Sequence, residues 1–321
     1  MGPPPATIEL DAQYRQLREE CGLLDRSERG KLAVHGAEAA EYLQGQLTND
    51  IEALVPGQGC YAALLDRKGH MQADMRVLRT GAEALWIDLE PGGHAAALRH
   101  LQMYKVGREV AVEDLGAEQA ILSLIGPRSG AVAGASPTPE HAQRSVEIVG
   151  RKALAVATRE GVDLICAAAD ADALRDAILA AGAGEVSEQA AEIVRVEDGR
   201  PRFGAEMGSE TMPAEAGIVE EAVSFTKGCY IGQETVARLH YRGKPNRHLR
   251  GLRMSGAARR GDPLRLEGKQ VGTVGTACLS PAFGQIALAI VRREAAPGAV
   301  LDVGEDGVSA EVVELPFWED G

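Results

Sequence analysis

The chain has 321 residues, 45% of them hydrophobic, enough to bury a sizeable core and to fill about two domains. Its net charge of -13 sets a mean field that repels phosphate, which excludes a surface given over to nucleic acid, and no apolar run approaches the ~18 residues that cross a bilayer. Five scattered cysteines, at 21, 60, 166, 229 and 278, never form C-x-x-C; they argue against a disulfide framework or a zinc site and for a reducing, cytoplasmic home.

Met1–Leu10 holds three prolines and neither a basic n-region nor an apolar h-region, so it does not read as a secretory leader. Tyr14, Leu17 and Cys21 then share one face of an amphipathic helix, with Gly22 placed to end it. Lys31–His35 alternates as a strand, Ala40, Leu43 and Leu47 follow at helical spacing, and Thr48-Asn49-Asp50 is a polar stop. Cys60–Leu65 and Gln72–Leu78 read as a hairpin around Asp66-Arg67-Lys68-Gly69, the glycine supplying the positive φ of a short loop. A strand over Ala84–Leu89, a helix over 95–104 and a strand over 109–113 complete a first set of elements.

A second set repeats that order without repeating the sequence: strands near 120–125, 145–149, 153–158 and 162–166, then a helix over 172–181. Ser187 caps a helix that runs through Val196 and closes at Gly199, and an irregular Gly/Pro/Glu-rich stretch begins at Pro201. From Leu249 the pattern turns to short strands joined by turns such as Glu267-Gly268-Lys269 and Glu305-Asp306-Gly307, the composition of a small antiparallel barrel. Gly243-Lys244-Pro245-Asn246 is the natural boundary, giving domains of residues 1–243 and 244–321.

Chemistry concentrates in Lys227-Gly228-Cys229-Tyr230-Ile231-Gly232-Gln233-Glu234. Two glycines bracket a cysteine just ahead of a helical pattern through Val236, Leu239 and His240, where unpaired N–H groups, the helix dipole and Lys227 favour thiolate. Cys229 is therefore the candidate catalytic thiol, set against the bland alternative of a small buried hydrophobe in a tight turn. His240 and Tyr241 lie too far along the helix to serve as its base. Between Thr235 and Gly261 there is no acid, while eight Arg or Lys residues (238, 242, 244, 247, 250, 253, 259 and 260) fall there, either facing a polyanion or pairing with carboxylates elsewhere.

That octapeptide resembles the K-G-C-[FY]-x-G-Q-E signature of the YgfZ folate-binding family, relatives of the glycine-cleavage T-protein. Leu24–Ser27 with Gly30–Leu32, Leu43–Asp50, Asp66–Gly69, Arg195–Gly199 and the barrel tail extend the resemblance over roughly residues 10–315. It implies an α+β folate-binding domain of two related subdomains, a small C-terminal barrel and tetrahydrofolate in a central cavity. Glu197 would accept the two adjacent N–H donors of the pterin, the alternative being an ordinary solvated helix carboxylate. Lys227, Arg238 or Arg242, unranked, would meet the terminal glutamate anions of folate, and Gln233, of the same signature, is a further candidate folate-binding residue. T-protein relatives carry an acidic pair after a Gly-Gly turn; Gly69–Asp74 here keeps one carboxylate, Asp74, which either contacts folate or faces water at a strand end.

What the resemblance implies is a tetrahydrofolate-binding accessory factor for iron–sulfur cluster assembly or repair, with iron–sulfur client proteins as partners and Cys229 beside the folate. The alternatives are a folate-dependent aminomethyltransferase or demethylase and a non-enzymatic folate-binding scaffold, so enzymatic turnover is left open. No metal site, direct nucleic-acid contact or membrane association is expected.

Overall fold

The computed structural model describes residues 5–320, and side chains within residues 9–318; Met1–Pro4, the start of the segment read above as lacking leader character, lie outside the described residues. In chain order the first elements are α1 (Pro5–Glu19), β1 (Gly22–Asp25), β2 (Gly30–His35), α2 (Ala39–Gln46), β3 (Gly59–Leu65), β4 (Met71–Arg79), β5 (Ala84–Leu89), α3 (Pro91–Tyr104) and β6 (Ala111–Asp114). Then come β7 (Gln119–Ile125), α4 (Ser129–Ala133), β8 (Gln143–Ile148), β9 (Arg151–Thr158), β10 (Gly161–Ala167), α5 (Ala171–Ala180), β11 (Gly184–Glu185) and α6 (Glu188–Glu197). The chain continues through α7 (Pro213–Ala216), α8 (Val219–Ala222) and α9 (Gln233–Arg242) to β12 (Arg247–Met254), β13 (Pro263–Leu266), β14 (Lys269–Ser280), β15 (Gly284–Arg292), β16 (Val300–Val303) and β17 (Val308–Val313).

The strands form a five-stranded sheet, β3-β4-β5-β2-β6, a six-stranded sheet, β11-β1-β7-β10-β9-β8, and a closed six-stranded antiparallel barrel, β12-β15-β14-β13-β16-β17. This is the α+β architecture of two sheet subdomains and a C-terminal barrel that the sequence leads one to expect. The chain also falls into two compact units. One takes in residues up to Leu65, Gln72–Ala190 and Glu221–Ile231; the other takes in Asp66–Met71, Ala191–Glu220 and Gly232–Gly321.

In the first unit, the face of the five-stranded sheet under α2 and α3 carries Leu32, Val34, Met75, Val77 and Ile87, packed on Leu43, Ala97 and Leu101. The Tyr42 hydroxyl donates to the Leu101 carbonyl at 2.6 Å and ties the two helices. The six-stranded sheet packs Leu122, Leu124 and Leu164 against Leu174 and Ile178 of α5 in the same way. The opposite faces share a further layer, Leu78 and Trp86 meeting Ile121, Val156 and Ile165. Strand β4 is consequently buried on both faces from Ala73 to Leu78, although it includes Asp74 and Arg76.

Gly22 does not close α1, which stops at Glu19; it begins β1, where any Cβ would lie 2.5 Å from Leu17 Cδ2, so packing and not a left-handed turn requires the glycine. Ser187 does cap α6, its Oγ accepting from the Ala190 N–H at 3.3 Å, and Gly199 adopts φ +68 beyond it. In the barrel, register shifts at Leu264/Arg265 and Val274/Thr276 bend the strands for closure around Leu252, Leu264, Val274, Ala287, Leu301 and Val312. The Glu267-Gly268 turn takes φ +51 and +78, as a two-residue hairpin requires. Among the described residues no helix is long and apolar enough to cross a membrane.

Candidate functional site

Alternation along β4 sends Ala73, Met75 and Val77 into the helix-covered core and Asp74, Arg76 and Leu78 to the face covered by the other sheet. Asp74 therefore does not face water; 9% of it is exposed. Burial pushes its carboxyl up from 3.8 to about 6, opposed by a hydrogen bond from Tyr61 and the charge of Arg29 and reinforced by Glu90. The Tyr61 hydroxyl, on β3, donates to Asp74 Oδ2 at 2.6 Å. Oδ1 is buried and has no hydrogen-bond partner among the described residues. An acceptor in this state is costly unless something completes it.

Beside Asp74 runs a buried ionic chain. Arg29 donates to Asp88 Oδ1 at 2.6 Å and lies 3.5 Å from Glu90; Arg76 donates to Asp88 Oδ2 at 2.7 Å and lies 2.8 Å from Asp163; Ser123 donates to Asp163 at 2.7 Å. Burial alone would raise the Asp163 carboxyl, but Arg76 and Ser123 together hold it below its ordinary value. Both strands of each sheet at this layer thus present paired charge at one end and the apolar Leu78–Trp86–Ile165 contact at the other.

Segment 221–231 is held by the polar stop after α2. Thr48 Oγ1 donates to the Ala222 carbonyl at 2.6 Å, and Asn49 Nδ2 donates to the carbonyls of Tyr61 and Glu221 at 2.8 and 2.9 Å. Lys227 Nζ donates to the carbonyls of Gln44, Leu47 and Asn49 at 2.6, 2.6 and 2.8 Å. Burial pushes its ammonium down to about 8, against the pull of Asp50. All three donors of Lys227 are spent on backbone, which corrects its expected place on a folate carboxylate: it is a strut for the loop.

Cys229 is exposed, so the small-buried-hydrophobe alternative fails, but it sits four residues ahead of α9, whose N-cap is Gly232. That places the thiol outside the first turn, where the helix dipole acts. Burial pushes Cys21 and Cys166 up to about 11 and Cys60 and Cys278 to about 12, which leaves Cys229 as the accessible thiol.

In the second unit Glu197, at the end of α6, is fully buried and not a solvated helix carboxylate. Ser280 Oγ donates to Glu197 Oε1 at 2.5 Å while accepting the N–H groups of Ala282 and Phe283. Arg195 reaches Glu192, Glu206 and Thr276 Oγ1, at 2.7 to 3.0 Å, and so locks α6 onto β14. Gln233 opens α9 half-buried, while Arg238 and Arg242 are exposed along it. The acid-free window resolves into two kinds of cation: Arg247 pairs with Glu215, Arg250 with Glu314, Arg260 with the Gly204 carbonyl and Arg253 with the rings of Phe283 and Phe317, whereas the side chains of Arg238, Arg242, Lys244 and Arg259 make no hydrogen bond or ion pair among the described residues. Nor is any group of three or more His, Cys, Asp or Glu placed to hold a metal ion there.

Two sheet subdomains ahead of a closed barrel define the fold class of aminomethyltransferase T: the crystal structure of that protein from Bartonella henselae superposes with a TM-score of 0.85, at 23% identity, over 96% of this chain and 89% of that one. The family follows from sequence. Residues 6–227 match the GCVT N-terminal domain and 247–319 the glycine cleavage T-protein C-terminal barrel domain, and the chain belongs to this family. Aminomethyltransferases of Rubrobacter xylanophilus and Geobacillus kaustophilus are 29% and 30% identical over 96% and 97% of this chain and 86% and 92% of their own lengths. Both are named for aminomethyl transfer and neither for iron–sulfur assembly; the YgfZ likeness rests on the Lys227–Glu234 signature and the motifs that accompany it.

Proposed function

We propose that this protein is a tetrahydrofolate-dependent one-carbon transferase, an aminomethyltransferase as its relatives are named, with Asp74 as its acid–base group. The observation that carries the reading is the buried Oδ1 of Asp74, without a hydrogen-bond partner among the described residues, on a carboxyl raised to about 6. A reduced folate fits that site chemically, because its ring N–H groups would complete the orphan acceptor. Tetrahydrofolate supplies a nucleophilic ring nitrogen that carries the one-carbon unit.

The chain's own part follows from its geometry. Tyr61 commits Oδ2, so Oδ1 is the atom that holds a proton below about pH 6 and is free to accept one above it. The ionic chain of Arg29, Asp88, Arg76 and Asp163 fixes the strands that carry this carboxyl.

One observation favours a second reading, a folate-binding accessory protein that acts on iron–sulfur clients: Cys229 is the accessible thiol, on a loop pinned by Lys227. Anaerobic calorimetric titration of tetrahydrofolate, with an assay of aminomethyl transfer to it, separates the two. The transferase reading expects Asp74→Asn to lose at least a hundredfold in turnover and Cys229→Ser to keep it; transfer lost in Cys229→Ser and kept in Asp74→Asn supports the accessory reading. A wild-type protein that binds no folate overturns both.

A further inference from the structure

On the face of the five-stranded sheet that the other sheet covers, charge is laid out in two rows. Pairing sets Arg76 opposite Asp88 and Asp88 opposite Lys31, so the first row alternates in sign across β4, β5 and β2. The register then passes through Met75 and Leu89, which point to the helices. Its next step sets Asp74 opposite Glu90, which prolongs β5 in extended conformation at φ -61 and ψ 144. The second row does not alternate. Two carboxyls stand side by side, and the cation, Arg29, lies beyond Glu90, 3.5 Å from it.

Like charges directly opposed on a sheet are destabilising, and neither helix capping nor ion pairing accounts for this pair. Glu90 holds the N-cap position of α3 but makes no side-chain cap hydrogen bond, and Ser, Thr, Asp or Asn would serve that position better. Arg29 has its closer partner in Asp88, at 2.6 Å. Of the other groups on this face, Tyr61 of β3 favours the Asp74 carboxylate through its hydrogen bond, and Arg29 favours it through its charge. Arg76 of β4 is engaged by Asp88 and by Asp163 of β10, and Lys31 of β2 by the Ser27 carbonyl. Beyond burial itself, the charge of Glu90 is what opposes ionisation of Asp74.

We propose that Glu90 is a positioning residue of the transfer reaction, the second carboxylate of a cross-strand pair whose charge, anchored by Arg29, acts on Asp74; the proposal rests on the transferase reading above. The segment Gly69–Asp74 offers one carboxylate, and the fold supplies the other from the far end of β5. A like charge at cross-strand distance, ~5 Å, disfavours the ionised form of Asp74 and so strengthens it as a base. Without that charge Tyr61 and Arg29 would pull the carboxyl down, and a weaker base would face the folate nitrogen.

The test follows Asp74 directly and through the reaction, in the full chain and in three variants. Glu90→Gln removes the charge and keeps the shape, Glu90→Ser removes it and supplies a preferred N-cap, and Glu90→Asp keeps it. Carbon-13 NMR of aspartate-labelled protein, with the Asp74 carboxyl resonance identified by its loss in Asp74→Asn, gives the titration midpoint. The rate of aminomethyl transfer to tetrahydrofolate gives the acidic limb. Both lie near pH 6 in the wild type and should fall by on the order of one pH unit in Glu90→Gln and Glu90→Ser, while Glu90→Asp stays near the wild type. A residue that only held the structure would lower the rate at every pH and leave the limb in place, and that result overturns the proposal. So does a midpoint unmoved in both neutral variants, with transfer intact and the transferase reading untouched. A wild type that transfers nothing, whatever the Asp74 midpoint does, removes that reading and the role of Glu90 with it.

Discussion

Ionising Asp74 in its buried position costs free energy that the unfolded chain does not bear. Its carboxyl rises from 3.8 to about 6 on folding, so between those pH values the folded chain binds more protons than the unfolded one. Stability contributed by this group is therefore full below about pH 4 and lost as pH rises through 6, a penalty of roughly 3 kcal/mol at 1.36 kcal/mol per pH unit. Asp74→Asn should consequently melt several degrees above the wild type at pH 8 and match it near pH 4, in thermal unfolding followed by circular dichroism. Equal melting points at both pH values would mean that the carboxyl is not raised. Tyr61→Phe should act in the opposite sense on the transfer reaction: removing the hydrogen bond that favours carboxylate moves the acidic limb of the rate profile upward from about pH 6. None of this was legible in the alternation of Gln72–Leu78, because what buries Asp74 is a second sheet and not its own strand. The Cys229 loop, by contrast, was legible from its glycines and lysine, although the partners of that lysine are carbonyls that carry no side-chain signal.

Between the two sheets, the paired charges constrain which elements meet. Asp88 is fully buried and accepts from both Arg29 and Arg76, so its removal takes one carboxylate from each and leaves Arg29 with Glu90 and Arg76 with Asp163. Breaking such a pair typically costs about 3–5 kcal/mol, and Asp88→Ala should fall in that range by urea denaturation, well above the effect of breaking the exposed Lys269–Glu294 pair. A loss below 1 kcal/mol for Asp88→Ala would show that the layer is hydrated and not structural. Most strands and helices were readable because their apolar periods run over six or more residues, as in β4, β7, β9 and α5. The exceptions are β1, β11, α4, α7 and α8, of five residues or fewer, where too few positions exist for a period to register. Their places are set by pairing instead, β1 lying antiparallel to β7 and parallel to β11.

At the scale of the whole chain, the two compact units interleave in sequence, and this bears on where the protein can be cut. Residues 191–220 and α9 belong with the barrel unit, as does the Asp66–Met71 turn, although all precede Gly243. The joint core makes the point physically: Val196 of α6 packs with Leu249, Ile286, Leu288, Val313 and Phe317, and Arg247 of β12 pairs with Glu215 of α7. A fragment of residues 1–243 would expose Val196 and leave Glu215 and Arg195 without their barrel-side partners Arg247 and Thr276. We expect hydrogen exchange on that fragment to show native protection in the five-stranded sheet and its helices α2 and α3, and loss of protection from α6 through α9. The sequence boundary at Gly243–Asn246 predicts the opposite, full protection up to residue 243. The two outcomes differ at Val196 and Glu197, so the same measurement reports whether the carboxylate assigned to the pterin is held in place by the barrel, through Ser280, or by α6 alone.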